Sequence, residues 1–208
     1  MSLLKILRIS LVLLTAVVFA LPSQAAKKKD TGEFDPYTAS IEENIKTPEV
    51  PEKLKERVTA AMTKLQRTFS NGGYKAEKVR DGEVVVVTVE ASKLFGANST
   101  ELRDNAAAVI QPLIPYIKRT DNYKVVIAVH SDDTGDAQYA DRLTADRASA
   151  IDNFITSRMG GGESGLIPYG LGFDEPVASN TGIRNRAANR RVEFYFIPTA
   201  DFISKLKK

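Results

Sequence analysis

The sequence contains no cysteine and only one histidine, His130. Without cysteine there is no disulfide framework, thiolate metal site, thiol nucleophile or lipid-bearing cysteine. A Ser-His-Asp arrangement would have to use His130, and the adjacent Ser131 would point away from it if both lay on a strand. His130 is therefore interpreted as a structural residue at a strand end. These absences predict a non-catalytic protein without a cofactor.

The chain also lacks a large net charge of either sign. The 208 residues include 29 basic and 26 acidic ones, a net charge of +3, and removing Lys5 and Arg8 of the N-terminal segment leaves +1. The remaining lysine runs, at 27–29 and 205–208, lie near the two ends of the chain. Nucleic-acid binding needs basic residues clustered on one folded face. The sequence therefore predicts no nucleic-acid partner.

The N-terminal apolar run, residues 9–21, has about 13 residues and is too short to span a bilayer, which takes about 20. Lys5 and Arg8 precede it, and small residues at 23–25 follow it. This pattern predicts a cleaved secretory signal over residues 1–25 rather than an uncleaved anchor. An exported protein without cysteine fits a bacterial periplasm, with association to the outer membrane left open.

Between the signal and the main domain the sequence predicts a linker and a helix. Residues 26–50 contain prolines and few periodic apolar residues, which indicates a flexible linker. Residues 51–73 predict a helix, because Pro51 suits its first turn and apolar residues recur at helical spacing. The apolar stripe is expected to pack on the domain. Dimerisation, or docking of another protein on residues 51–69, is the alternative.

Residues 74–199 predict an α+β domain, a two-layer α/β sandwich that begins with a β-hairpin whose turn is Asp81-Gly82. From residue 84 the order is strand, helix, strand, helix, strand, which places two helices on one face of a small mixed sheet. Ser99 or Thr100 is expected to cap the first helix, which prolines divide. Residues 200–208 are predicted to be a basic tail. The expected elements are strands 74–80, 83–90, 123–130 and 191–197, a short strand or extended loop at 167–173, and helices 100–117 and 137–158.

Asp132 and Arg147 are the residues most suggestive of a site. Asp132 follows a strand, and Arg147 lies on a helix face that is otherwise apolar. A buried guanidinium needs an anion, because leaving it unpaired costs several kcal/mol. Two interpretations follow: the two side chains pair with each other, or they receive a ligand that carries both an ammonium and a carboxylate. The residues alone favour the direct pair.

Four motifs extend the pattern, and their order resembles the OmpA-like C-terminal domain family, which includes peptidoglycan-associated lipoproteins and MotB-type stator proteins. The motifs are HSDDTG at 130–135, Tyr139 with LTADRA at 143–148, GLGFDEPVASN at 170–180, and NRRVE at 189–193. The resemblance covers roughly residues 84–198 and implies a peptidoglycan-binding domain.

The resemblance also implies a ligand and its site: the diaminopimelate of the peptidoglycan stem peptide. In the family, the residues that match Asp132 and Arg147 hold the amino-acid end of diaminopimelate, and this implication reverses the preference for a direct pair. Arg190 borders the implied site, and Thr134 and Gly135 lie in its loop. The function implied is a non-catalytic periplasmic link between the cell envelope and the wall.

Three positions depart from the family pattern, the first being Val129, which stands where the family often has glycine. Ala140 stands where the family usually has asparagine, so one polar ligand contact is expected to be missing, and Gly96 stands where aspartate is common. The acidic cluster Asp132, Asp133 and Asp136 lacks the glycine and distal glutamate of an EF-type calcium loop, so no metal site is predicted. The alternative function is an envelope scaffold that keeps the fold without useful peptidoglycan affinity.

Overall fold

A mixed β-sheet organises the part of the chain that the structure, a computed structural model, describes: residues 35–160 and 165–207. The five strands in this part are ordered β1-β2-β5-β3-β4, and β3 and β4 are parallel while the other neighbours are antiparallel. They are β1 (Lys75–Val79), β2 (Val84–Glu90), β3 (Tyr123–Val129), β4 (Leu166–Gly170) and β5 (Arg191–Pro198). The signal predicted at 1–25, the first part of the linker, Gly161, Gly162 and Lys208 lie outside the described residues.

Most of the helices lie against one face of this sheet, so the predicted α+β class with two layers is confirmed. Residues from α2, α4, α5 and α6 share one apolar core with the inward side chains of β5, Val192, Phe194 and Phe196. The helices of the described part are α1 (Ile41–Asn44), α2 (Glu52–Asn71), α3 (Ala91–Leu94), α4 (Ala106–Ile110), α5 (Ile114–Ile117), α6 (Ala137–Arg158), α7 (Ile183–Asn189) and α8 (Ala200–Lys205).

Helix α2 uses its apolar stripe inside the domain. Five residues spaced three or four apart are buried: Leu54, Val58, Met62, Leu65 and Phe69. The Phe69 ring lies 4.9 Å from that of Phe196, at the centre of the sheet. A dimer formed through this stripe would have to pull α2 away from the core, and burial of each such side chain stabilises by about 1.5–3 kcal/mol. The α2 stripe is therefore a packing surface of the domain.

Two local predictions within the domain are wrong. The hairpin loop has four residues, 80–83, because Val79 pairs with Val84, and Asp81-Gly82 is only its centre. No helix begins at Ser99 or Thr100, since the helix that follows this segment, α4, starts at Ala106. Residues 95–105 instead form a loop whose backbone is bonded by tertiary contacts, including the Arg103 amide to the Leu94 carbonyl at 2.8 Å. Tertiary hydrogen bonds replaced those of a helix.

Both ends of the described chain contain structure where linker or tail was expected. Helix α1 begins at a capping box between Ser40 and Glu43, and Asn44 donates to the Tyr169 hydroxyl at 2.6 Å on the outer sheet face. The expected basic tail forms α8, in which Ile203 is buried in the main core. A side-chain cap starts each of these short helices: Ser40 accepts from the Glu43 amide, and Thr199 accepts from the Phe202 amide.

No helix within residues 35–160 and 165–207 is long and apolar enough to cross a membrane.

Candidate ligand-binding site

A cavity of about 380 Å³ opens where β3 ends and α6 begins. The loop after β3, the first turns of α6, the loop 95–103 and the residue that precedes β5 form its wall. Four of the lining residues are charged: Arg103, Asp132, Arg147 and Arg190. Phe95 and Tyr139 add aromatic surface. Four of the five predicted ligand-binding residues thus line one cavity: Asp132, Thr134, Arg147 and Arg190.

Asp132 is held as a charged acceptor. Its side chain is only 4% exposed, one oxygen accepts the Thr134 amide at 3.0 Å, and the other pairs with Nη1 of Arg190. Burial by itself would raise the pKa of Asp132, but hydrogen bonds from Thr134 and Arg190 outweigh it and lower the pKa below its usual value. The carboxylate therefore remains ionised at neutral pH.

Arg147 is a buried cation without a described anionic partner. It is 5% exposed; its Nε donates to the Ser99 carbonyl at 2.8 Å and its Nη2 to the Gly96 carbonyl at 3.0 Å. The guanidinium also lies 4.9 Å from the centre of the Phe95 ring. Burial lowers the pKa of Arg147, but an arginine stays protonated in proteins. Its charge is stabilised here only by neutral groups.

Asp132 and Arg147 do not form the direct pair that the residues alone favoured. Asp132 pairs with Arg190, while the side chain of Arg147 is directed to the carbonyls of the loop 95–99. The pairing was missed because Arg190 is 58 residues from Asp132 in the chain, and only the antiparallel pairing of β3 with β5 brings the two together.

The glycine and asparagine motifs position the wall of the cavity. A Cβ atom built on Gly170 would lie 2.2 Å from the Ala145 backbone nitrogen, so glycine allows β4 to pack directly on α6. Gly172 then donates its amide to the Thr144 hydroxyl at 3.0 Å. Asn189 is fully buried; its side chain accepts from the amides of Val177 and Ala178 and donates to Ala178 and Asn180. These contacts hold the loop that leads to Arg190.

Gly135 and Ala140 do not line the cavity. Gly135, with φ of 99°, lies in the turn after Thr134 but is not among the residues that line the cavity. Ala140 is 1% exposed and also lies outside the lining, so it packs in the domain. Gly96 does line the cavity and offers its carbonyl to Arg147.

Sequence reasoning missed Arg103. It was assigned to a helix, whereas it lies in the loop 95–105 and donates from Nε to the Phe95 carbonyl at 2.9 Å. The three alanines at 106–108 were the signal that could have placed the helix start after Arg103, because alanine is the strongest helix-forming residue.

No group of three histidine, cysteine or carboxylate residues is placed to hold a metal ion within the described ranges. Two members of the acidic cluster have other partners. Asp136 caps α6 by accepting the Tyr139 amide at 2.8 Å, and Asp132 is paired as described.

A second ionic group, the Glu193 network, is buried on the other face of the sheet. One Glu193 oxygen accepts from Arg191 at 2.7 Å, and the other from the Tyr195 hydroxyl at 2.8 Å and from Nε2 of His130 at 3.2 Å. Burial by itself would raise the pKa of Glu193, but these hydrogen bonds lower it to about 2. His130 therefore pairs with a buried side chain of the domain, which agrees with its interpretation as a structural residue at a strand end.

The Glu193 network should make the protein sensitive to acid. Because the folded pKa lies below the unfolded value of 4.5, the stabilisation is present above about pH 4.5 and is lost as the pH falls towards 2. Glu193→Gln is expected to lower the free energy of unfolding at pH 7 by roughly 3 kcal/mol, and by much less at pH 3. Urea unfolding at both pH values measures this difference. Glu90→Gln, an exposed carboxylate on β2, is the control and should change neither value.

Comparison with known proteins agrees with this geometry. The fold and the cavity define a mixed α+β domain with a charged site at the end of a central strand. Residues 94–190 match the model of the OmpA family. These residues therefore form an OmpA-family domain, as the sequence motifs predicted.

Two relatives and one solved structure illustrate the similarity. Outer membrane porin F of Pseudomonas aeruginosa is 29% identical over 108 residues, which are 52% of this chain and 31% of the porin. The peptidoglycan-associated lipoprotein of Agrobacterium fabrum is 31% identical over 97 residues, 47% of this chain and 54% of the lipoprotein. A MotB-like protein from Desulfovibrio vulgaris has the same fold, with a TM-score of 0.61, 24% identity, and coverage of 69% of this chain and 95% of that one. The similarity to each relative spans only part of its length.

Proposed function

We propose that this protein binds peptidoglycan without catalysis, by gripping the free amino-acid end of diaminopimelate in the stem peptide. The observation that carries the proposal is Arg147, a buried guanidinium that faces a cavity and has no anionic partner in the described chain. A buried cation of this kind is stabilised when a ligand supplies the missing anion.

The cavity offers the complementary charge beside it. Asp132 remains ionised and can accept an ammonium group, while the planar guanidinium of Arg147 can donate two parallel hydrogen bonds to a carboxylate. A ligand that carries both groups on one carbon would satisfy both side chains at once. The volume of about 380 Å³ lies at the lower end of the range for small-ligand sites, which suits the end of one amino acid.

The relatives support a place in the cell envelope. One is a peptidoglycan-associated lipoprotein and another an outer membrane porin. Together with the secretory signal predicted at 1–25, this favours the periplasm, with the domain linking an envelope component to the wall.

An envelope scaffold without peptidoglycan affinity is the second candidate. The packing of α1 on the outer sheet face favours a role in fixing the N-terminal segment to the domain. A scaffold, however, has no need for the uncompensated charge of Arg147.

Neutralising Asp132 tests the proposed function. Asp132→Asn keeps an acceptor for the Thr134 amide but removes the charge that attracts an ammonium, so affinity for purified sacculi should fall about thirtyfold, or ~2 kcal/mol. Co-sedimentation over a range of sacculus concentrations measures this loss.

The neighbouring Asp133→Asn variant is the matched control, because Asp133 is exposed and does not line the cavity. It should sediment like the wild type. Arg190 is 42% exposed and stays solvated without Asp132, so Asp132→Asn should cost only about 1 kcal/mol of stability. Equal sedimentation of Asp132→Asn and wild type would disprove the site, and absence of any wild-type sedimentation would favour the scaffold.

A further inference from the structure

The charges that line the cavity do not balance. Three guanidiniums, from Arg103, Arg147 and Arg190, face one carboxylate, that of Asp132. The carboxylate is paired with Arg190. Neither Arg103 nor Arg147 forms an ion pair with any residue of the described ranges. The cavity lining therefore has an excess of two positive charges.

The two unpaired guanidiniums are fixed on neighbouring peptide groups. Nε of Arg103 donates to the Phe95 carbonyl at 2.9 Å, and Nη2 of Arg147 donates to the Gly96 carbonyl at 3.0 Å. An antiparallel bridge between Phe95 and Leu102 holds the chain that carries Arg103 beside this segment. The terminal nitrogens of Arg103 have no hydrogen-bond partner in the described part of the chain, and the residue is exposed at the rim.

A zwitterionic amino-acid end cannot neutralise this excess. Such a group has no net charge; its carboxylate would satisfy Arg147 and its ammonium Asp132. Arg103 would then remain without an anion, next to the bound carboxylate. A ligand with a second carboxylate within reach of Arg103 would give Arg103 an anion as well and reduce the excess to one positive charge, because guanidinium and carboxylate groups match in shape and charge.

We propose that Arg103 is a specificity-determining residue that receives a second carboxylate of the ligand. The site would then distinguish stem peptides whose neighbouring carboxylate is free from those in which it is amidated. This inference rests on the proposed function, since it assumes that the amino-acid end of diaminopimelate occupies Asp132 and Arg147.

Two synthetic glutamyl-diaminopimelyl-alanine amide peptides, in which the linked end of diaminopimelate carries no free carboxylate, test the proposal: one has a free α-carboxylate on its glutamate and the other a carboxamide there. Isothermal titration of the full chain at 0.15 M salt gives the affinity for each. The wild type is expected to bind the carboxylate form about fivefold more tightly, the size of a partly exposed ion pair. Arg103→Gln should bind both peptides with the affinity that the wild type has for the carboxamide.

Arg184→Gln is the matched control, because Arg184 is an exposed arginine outside the cavity lining. It should keep the fivefold preference. Binding of both peptides by the wild type without a preference, or a preference that survives in Arg103→Gln, would overturn the role of Arg103 and leave the proposed function standing. Binding of neither peptide by the wild type would overturn both.

Discussion

Replacing Arg147 with glutamine is expected to weaken binding to sacculi more than a hundredfold. The substitution removes the group proposed to bind the ligand carboxylate, and truncating one partner of a buried, hydrogen-bonded charge pair costs about 3 kcal/mol or more. It also removes the donors to the Ser99 and Gly96 carbonyls, which hold one wall of the cavity. Co-sedimentation with sacculi, titrated over at least three decades of wall concentration, measures the effect.

Two further variants separate binding from folding. Arg142→Gln removes an exposed arginine from the same helix and should bind like the wild type. Arg147→Lys keeps a charge but cannot donate two parallel hydrogen bonds, so it should recover only part of the affinity. If Arg147→Gln melts at the wild-type temperature and still sediments fully, the buried guanidinium is not a ligand receptor.

Gly170→Ala is expected to have the largest effect on stability. The added Cβ would meet backbone atoms of α6, at 2.2 Å from the Ala145 nitrogen and 2.5 Å from its Cα, and no side-chain rotation can relieve that contact. Strand β4 and helix α6 would have to separate. Overpacking usually costs 1–3 kcal/mol, so a backbone-against-backbone clash should cost about 4 kcal/mol or prevent folding. Urea unfolding followed by circular dichroism measures the change.

Gly96→Ala provides the comparison for Gly170→Ala. A Cβ at Gly96 would find its nearest neighbour, the Ser99 Cβ, at 3.4 Å, an ordinary contact. Its stability should lie within about 0.5 kcal/mol of the wild type. A Gly170→Ala protein as stable as Gly96→Ala would contradict the packing of β4 directly on α6.

The elements predicted most accurately were those whose signal is local. Helix α6 has the predicted bounds, and β5 shows the predicted alternation, with Val192 and Phe194 on the core face and Glu193 on the opposite face. In each case the side-chain period and the flanking breakers lie within the element itself. Residues 100–105 were predicted as the start of a helix but belong to the loop 95–105, because the contacts that stabilise this loop, such as Arg103 to Phe95, come from tertiary structure and leave no periodic trace.

The residues of the candidate site likewise fall into those with a local signal in the sequence and those placed by tertiary contacts. Asp132 and Arg147 could be selected from the sequence, because a carboxylate after a strand and a cation on an apolar helix face are both locally anomalous. The arginines that accompany them in the cavity could not be assigned their contacts in this way. Arg190 reaches Asp132 through the pairing of β3 with β5, and Arg103 reaches the cavity through a loop that follows no regular pattern.

What the sequence by itself determined is the α+β class, the core faces of the long elements, and two of the charged residues that line the cavity. The periodicity of apolar residues and the free-energy cost of burying a charge follow from residue types and their order, so both can be inferred without coordinates. Only the tertiary structure decided that Asp132 pairs with Arg190, that Arg147 is left without an anion, and that Arg103 joins the cavity. These outcomes depend on which distant segments the sheet brings together, and on the few ångströms that separate an ion pair from an open site.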